Sequence, residues 1–355
     1  MKVFIDILTP KQCMLFANVS ECLRREGHQV FAATRKYREA NQLLEIKGIA
    51  ARVVGKHGGG GLKDKLEASA QRTLELASIV DELQPDVAVS FSSPETARVA
   101  FGLHIPHVCL NDSPHSEAVA RLTVPLSSLL LTPKLIPKTA WTKFGITADR
   151  VIQYNAIDPW AWLKDFKQDK KILKQLDLTD SKPIVVFRTE ESFASYLLTR
   201  SSKALVWTSL LEDLLKSKVD FQAVILPRYE NQIDLLTEKF GQRAKVCRSI
   251  IDAPSLLAYA SVFIGAGGTM TAEAALLGTP TFSCYPGKPF LIENFLIRSG
   301  LVVRETDCKK LRNKVLKTLD NIESAKKTQK AKARKLTDRF EDPTQVIVNA
   351  IKKAS

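Results

Sequence analysis

At 355 residues the chain has the length of about two ordinary domains. Hydrophobic residues make up 45% and charged residues 25%, with 16 Gly and 16 Pro, a composition that excludes collagen-like, disordered and disulfide-dense proteins. Lys and Arg number 52 against 38 Asp and Glu, and the resulting +14 favours an anionic partner, with phosphorylated metabolites, nucleic acid and anionic membranes all open.

Short apolar runs alternate with amphipathic stretches from the start, the pattern of a parallel sheet covered by helices. Residues 3–7 read as a buried strand, and 13–26 as a helix stopped by Gly27, whose tolerance of positive φ suits a C-cap. A strand at 28–33, a helix at 43–47 closed by Gly48 and a strand at 51–54 follow. The run His57-Gly58-Gly59-Gly60-Gly61 reads as a flexible loop, with a substrate-closing lid as the alternative. A helix at 62–83 and strands at 86–90 and 105–110 complete the first series. The periodicity breaks over 154–170, at Asp158-Pro159-Trp160 and a polar run, which marks the expected domain junction. The second series has strands at 184–187, 222–226, 262–265 and 281–284, separated by helices at 204–215, 232–240 and 270–277. Beyond Asp307 the chain is helical and very basic, and its lysines read first as a solvated face. Phe340 and the spacing of Val346, Ile347 and Ile351 predict a last helix that docks back on the first half. The expected fold class is α/β, with Rossmann-like domains at 1–165 and 172–335 facing across a cleft and a crossing helix at 336–355.

Cys13, Cys22, Cys109, Cys247, Cys284 and Cys308 stand singly, without a CxxC pair or a His at ligand spacing. Neither a zinc site nor a disulfide framework is expected, and a reducing cytoplasm fits. Asp6 interrupts what would be the apolar core of an export signal. The longest apolar stretch, 122–131, is broken by Pro125, Ser127 and Ser128 and falls short of the roughly 20 residues that span a bilayer, so any membrane contact is expected to be peripheral.

The chemistry concentrates in residues 261–280, where an apolar strand meets Gly265, Gly267 and Gly268 and then a helix bounded by Gly278 and Pro280. Glycines at the carboxyl end of a strand let amide hydrogens approach a phosphate, and the start of the following helix adds its positive dipole end. No Lys follows the glycines, which disfavours a Walker-type triphosphatase. Glu273 lacks the Ser or Thr partner of a capping box, because Met270 stands three residues before it. A carboxylate there suits a ribose diol, and simple helix-dipole stabilisation is the alternative. In the first half, Asp6, the cluster Ser92-Ser93-Pro94-Glu95 and the cluster Asn111-Asp112-Ser113-Pro114-His115 all follow strands. Ser93 is placed as an N-cap with Pro94 at the first helical position. Asp112, Glu95, Asp6 and His115 are the candidates for a general base, with cap and turn roles as their alternatives.

The run from Ile250 and Asp252 through Tyr259 to Gly267-Gly268-Thr269-Met270-Thr271-Ala272-Glu273 and Gly278-Thr279-Pro280 resembles the nucleotide-sugar motif of GT-B enzymes. It is similar to the lipid-linked N-acetylglucosaminyl transferase of peptidoglycan synthesis and, more loosely, to UDP-N-acetylglucosamine 2-epimerase. Nearly the whole chain resembles the microbial, GT-B-like domain of unknown function 354 family. Shared features are the early Ile5-Asp6-Ile7, the second strand opening on Gly27-His28-Gln29-Val30, Ser93-Pro94-Glu95, Pro227-Arg228-Tyr229 and the glycine motif.

The resemblance implies that Gly265, Gly267, Gly268, Thr269, Met270 and Thr271 surround a pyrophosphate, that Glu273 binds ribose hydroxyls and that Ile250 lies by the uracil. It also brings Arg188, Glu190 and Arg228 to the substrate, with an ion pair from Arg188 to Glu190 or Glu191 as the alternative for that arginine. The first domain would be the acceptor and catalytic side, and the second the nucleotide-sugar side. Two positions depart from the family pattern: Lys11 follows Pro10 where many members have His, and Ala272 precedes Glu273 where many have Arg.

The reading implied is a metal-independent GT-B glycosyltransferase that uses a nucleotide-diphosphate sugar, a UDP-sugar first, with no cofactor. Transfer is preferred to epimerisation because Arg188-Thr189-Glu190 only partly matches the Arg-Arg-Glu-Asn segment of the epimerase. A UDP-sugar 2-epimerase-like enzyme and a catalytically silent nucleotide-sugar binder stay open. The expected location is cytoplasmic or peripheral at an anionic membrane, where a lipid-linked acceptor would reside. Nucleic acid is not expected as a partner, since the basic stretch lacks interleaved aromatics.

Overall fold

The computed structural model of the chain describes residues 1–189 and 206–355. They form two units, Met1–Trp162 with Glu341–Ser355, and Leu163–Phe340. The first unit holds seven strands, β1 (Lys2–Ile7), β2 (Gln29–Lys36), β3 (Ala51–Lys56), β4 (Val87–Phe91), β5 (His107–Leu110), β6 (Leu129–Pro133) and β7 (Val151–Tyr154). They run parallel in the order β3-β2-β1-β4-β5-β6-β7, with Val3 paired to Val30 on one side and Val87 on the other. The chain winds outward from β1 to β3, then returns to lay β4 on the other side of β1. The carboxyl ends of β1 and β4 therefore flank a topological switch point, the place where open α/β sheets leave a crevice.

The second unit repeats this winding in six parallel strands. These are β8 (Ile184–Arg188), β9 (Gln222–Leu226), β10 (Lys245–Val246), β11 (Val262–Gly265), β12 (Thr281–Ser283) and β13 (Val302–Arg304), in the order β10-β9-β8-β11-β12-β13. Its switch point lies between β8 and β11. The strands read as continuous apolar runs because both faces are covered. Val185, Phe187, Ile225 and Ile264 enter one apolar cluster, and Ile184, Val186, Val224 and Phe263 enter another.

Helix Leu62–Leu83 begins and ends where the sequence places it, and Ser93 caps helix Pro94–Gly102 by accepting from the Thr96 amide. Sequence reasoning undercounts strands: β6 starts at the end of the apolar stretch that carries Pro125 and runs on to Pro133, and β10 and β13 have two and three residues. Such short runs lack the length for a visible period. The glycine run before Leu62 is tightly folded at Gly58, where a Cβ would stand 2.5 Å from the Lys65 Cα.

The basic tail divides into helices Cys308–Leu319, Ile322–Thr337 and Pro343–Ala354. The middle one also serves in packing: Ala333 is buried, and a Cβ on Gly278 would lie 2.6 Å from the Lys330 Cα. The last one is stitched to the first unit. Asp342 accepts from the amides of Thr344 and Gln345, Pro343 opens the helix, and Ile347, Val348 and Ile351 are buried. Lys352 pairs with Glu26 at 2.8 Å on the surface. Among the described residues, no helix is long and apolar enough to cross a membrane.

Candidate functional site

In the second unit β11 delivers the chain to a turn at its switch point. Gly267 and Gly268 have φ of +81° and +86°, a region that residues with a Cβ enter only with strain. Gly268 precedes helix Thr269–Leu276, which has no side-chain cap, so the positive helix end meets the turn through amide hydrogens alone. Gly265 answers to packing: a Cβ there would stand 2.8 Å from the Phe263 ring and 3.2 Å from the Thr271 Oγ1. That hydroxyl oxygen is buried without a hydrogen-bond partner.

Four charged side chains gather near this turn or at the strand ends beside it. Arg188 ends β8 and donates from Nη1 to the carbonyls of Leu226 and Pro227, at 3.3 and 2.9 Å. Arg228 reaches over from the end of β9, its Nη2 4.0 Å from where a Cβ on Gly268 would sit. Glu273 is buried in the second turn of the helix. The fourth, Glu293 in helix Leu291–Arg298, escaped sequence reasoning; its Oε2 lies 3.1 Å from the Cβ position of Gly267. Burial pushes the Glu293 carboxyl above its ordinary range, against a hydrogen bond from Ser283 and the attraction of Arg304. Its only sequence signal is an acidic residue early in a helix, which ordinarily answers to the helix dipole.

Thr269 is half-buried beside these residues, Met270 packs on one apolar cluster, and Ile250 is half-buried just before the core residue Ile251. Glu190 and Glu191 lie outside the described residues. Among the described residues, no three His, Cys, Asp or Glu side chains are gathered to hold a metal ion.

The strand ends of the first unit are built from paired charges. Asp6 is fully buried and accepts two bonds from Arg72, at 2.9 and 2.6 Å, and one from the Thr96 hydroxyl at 2.7 Å. Burial alone would raise its pKa; the Arg72 guanidinium and these hydrogen bonds instead hold it below the usual range. Glu95 accepts from the Ser93 hydroxyl at 3.1 Å and lies 3.9 Å from Arg72 Nη1.

A second network centres on Lys11, which meets Asp112 at 2.6 Å and Asp158 at 2.5 Å. The Tyr154 hydroxyl donates to the other Asp158 oxygen. Burial works to raise both carboxyls; Lys11 brings Asp112 below its ordinary value, while Asp158 stays above. His115 is half-buried, and burial lowers its pKa against the pull of Asp112, so its imidazole is neutral at pH 7. Of the four proposed base positions, Asp6 and Asp112 are thus bound to cations at hydrogen-bond distance, whereas Glu95 meets Arg72 only at 3.9 Å and His115 feels the carboxylate of Asp112.

The fold is similar to that of the UDP-GlcNAc 2-epimerase of Neisseria meningitidis bound to UDP-GlcNAc, at a TM-score of 0.75 and 16% identity over 99% of this chain and 100% of that one. The spinosyn forosaminyltransferase SpnP is also similar, at a TM-score of 0.65 and 15% identity over 99% and 98% of the two chains. At identities this low the likeness shows the fold alone, which is GT-B. In sequence, an uncharacterized protein of Methanocaldococcus jannaschii is 32% identical over 318 residues, 88% of this chain and 90% of that protein. The family described as Protein of unknown function (DUF354) matches residues 1–355, and the chain belongs to it.

Proposed function

We propose that the protein is a glycosyltransferase that takes a UDP-sugar as donor, with the diphosphate held by the second unit. The observation that carries this reading is the uncapped helix start behind two left-handed glycines, with Arg228 beside them and Glu273 on the same helix. Amides and a guanidinium aimed at one spot stabilise the charge that develops on a departing UDP, an electrostatic contribution that often dominates transfer chemistry. Glu273 takes the ribose hydroxyls in this account, and burial, by raising the Glu293 carboxyl above its ordinary range, weakens the repulsion it exerts on an anionic ligand. The Neisseria enzyme of the same fold binds UDP-GlcNAc, which favours UDP over other nucleotides.

The acceptor hydroxyl needs a base, and a neutral imidazole is able to take its proton at pH 7. His115 fits that role best, with Glu95 second. Epimerisation at the same donor site is the second reading, favoured by the epimerase fold likeness.

Calorimetric titration of the protein with UDP, GDP, ADP and their sugars tests the donor assignment. UDP and UDP-sugars are expected to bind, with roughly tenfold or greater loss in Glu273→Ala and Arg228→Ala. Unchanged affinity in both variants overturns it. Labelled UDP-GlcNAc then separates the reactions: release of UDP that depends on an acceptor supports transfer, and acceptor-independent turnover supports epimerisation.

A further inference from the structure

Arg35 is the penultimate residue of β2, at the carboxyl edge of the first unit's sheet. Its Nε is buried without a hydrogen-bond partner, and among the described residues no carboxylate stands at ion-pair distance from its guanidinium. A buried donor left without an acceptor is unfavourable, and burial lowers the proton affinity of the guanidinium. The acidic groups nearby are engaged elsewhere. Asp6 has given its oxygens to Arg72 and Thr96, and Glu95 accepts from Ser93 and faces Arg72.

The backbone beside Arg35 is also irregular. Thr34 pairs with Val53 but Lys36 pairs with Lys56, so β3 carries one extra residue opposite Arg35. Gly55 takes up the irregularity at a φ of +68°, with Arg72 so close that a Cβ would meet its side chain at 3.1 Å. Bulges of this kind re-aim a strand end. Just beyond it, Tyr37 and His57 stack with ring centroids 5.2 Å apart, and the His57 amide is tied to the Lys36 carbonyl at 3.2 Å. Lys36 and Lys56 add exposed positive charge at the same edge.

We propose that Arg35 holds an anionic group of a second ligand, a phosphate or a carboxylate, at the carboxyl ends of β2 and β3. An oxyanion offers two coplanar acceptors to the guanidinium fork. The anion site stands on the first unit alone. Its identification as the anchor of the sugar acceptor rests on the transferase reading, and makes that acceptor a phosphorylated or carboxylated molecule.

The His57 ring gives a local probe, since the chain has only five histidines whose proton resonances can be assigned by substitution. Inorganic phosphate and malonate are titrated separately into the full chain, into Arg35→Gln and into Glu273→Ala, while melting temperature is followed in each. Saturable movement of the His57 signal by either anion is expected in the parent and in Glu273→Ala, with affinity reduced roughly tenfold or more in Arg35→Gln. Phosphate alone points to a phosphorylated ligand, malonate alone to a carboxylated one. Arg35→Gln is expected to melt at the parent temperature or above it, because the side chain makes no ion pair among the described residues that the fold would lose and the buried, unpartnered Nε is removed. No saturable response in the parent, an undiminished response in Arg35→Gln, or a variant that melts several degrees lower or fails to fold overturns the proposal; the last result makes Arg35 the structural counter-charge of Glu95. Failure of UDP binding leaves the His57 result intact, so the anion site and the donor assignment fall separately.

Discussion

The two switch points are built from different materials. In the second unit the surface at the switch point is backbone: two left-handed glycines and an uncapped helix start, approached by Arg228 from beyond β9 and by Glu293 from helix Leu291–Arg298. In the first unit it is side chain, with Asp6 clamped by Arg72 and Asp112 by Lys11. A backbone site suits a ligand group common to many substrates, because amide hydrogens recognise phosphate whatever is attached to it. Side-chain networks are changed one residue at a time and suit the part of a reaction that varies.

Cutting the Asp6–Arg72 pair should have the largest effect on the first unit. Removing one partner of a buried ion pair leaves an uncompensated charge, so Arg72→Leu should destabilise the protein by about 3–5 kcal/mol in urea unfolding. The double variant Asp6→Leu/Arg72→Leu should recover much of that loss. Glu273→Gln, by contrast, should change stability little and ligand binding much. If Arg72→Leu costs under about 1 kcal/mol, the first unit's site does not rest on its ion pairs.

A second test uses pH. His107 bridges Ser90 and Ser127 in the core of the first unit, at 2.9 and 3.0 Å, and burial brings its pKa down to about 4. The unfolded chain binds that proton near pH 6.5, so between 4 and 6.5 the unfolded state holds more protons. The stability His107 contributes is therefore complete above pH 6.5 and is lost as pH falls toward 4, on the order of 3 kcal/mol. Asp6, with its pKa lowered from 3.8, loses its contribution only below that window, and His115 adds a slope of the same sign. Unfolding curves at pH 7 and pH 5 should show the difference in the parent and a much smaller one in His107→Gln. An equal slope in the variant assigns the effect to other groups.

How much of the molecule is legible in its sequence follows from distance along the chain. The glycine turn is legible because its conformational demand, its strand and its helix occupy one contiguous stretch, and Ser93 is legible because a cap acts three residues away. Asp6 and Arg72 are separated by 66 positions, and Lys11 and Asp112 by 101. Nothing local marks Arg72 as different from any charged residue on an amphipathic helix; only the fold turns it inward. Glu293 is hidden for the same reason, since its meaning comes from the approach of Gly267 and the cover of Ser283. Gly265 shows the converse error available to motif reading: it stands inside a ligand motif, yet the contact that requires it is the Phe263 ring.

The smallest expected effect separates conformational from chemical reasons for a glycine. Gly27 and Gly267 have nearly the same backbone, φ of +84° and +81°, but a Cβ on Gly27 meets nothing within 4 Å, whereas one on Gly267 meets the Glu293 carboxylate at 3.1 Å. Gly27→Ala therefore carries only the left-handed penalty of about 1–2 kcal/mol and should leave UDP titrations unchanged. Gly267→Ala carries a similar penalty, with a small addition if the buried Glu293 side chain shifts to make room. The two variants should thus lie close together in unfolding and far apart in UDP affinity. Equal affinity in both would mean that the Gly267 turn is shaped for the chain's own fold and not for a diphosphate, and the backbone half of the comparison would lose its ligand.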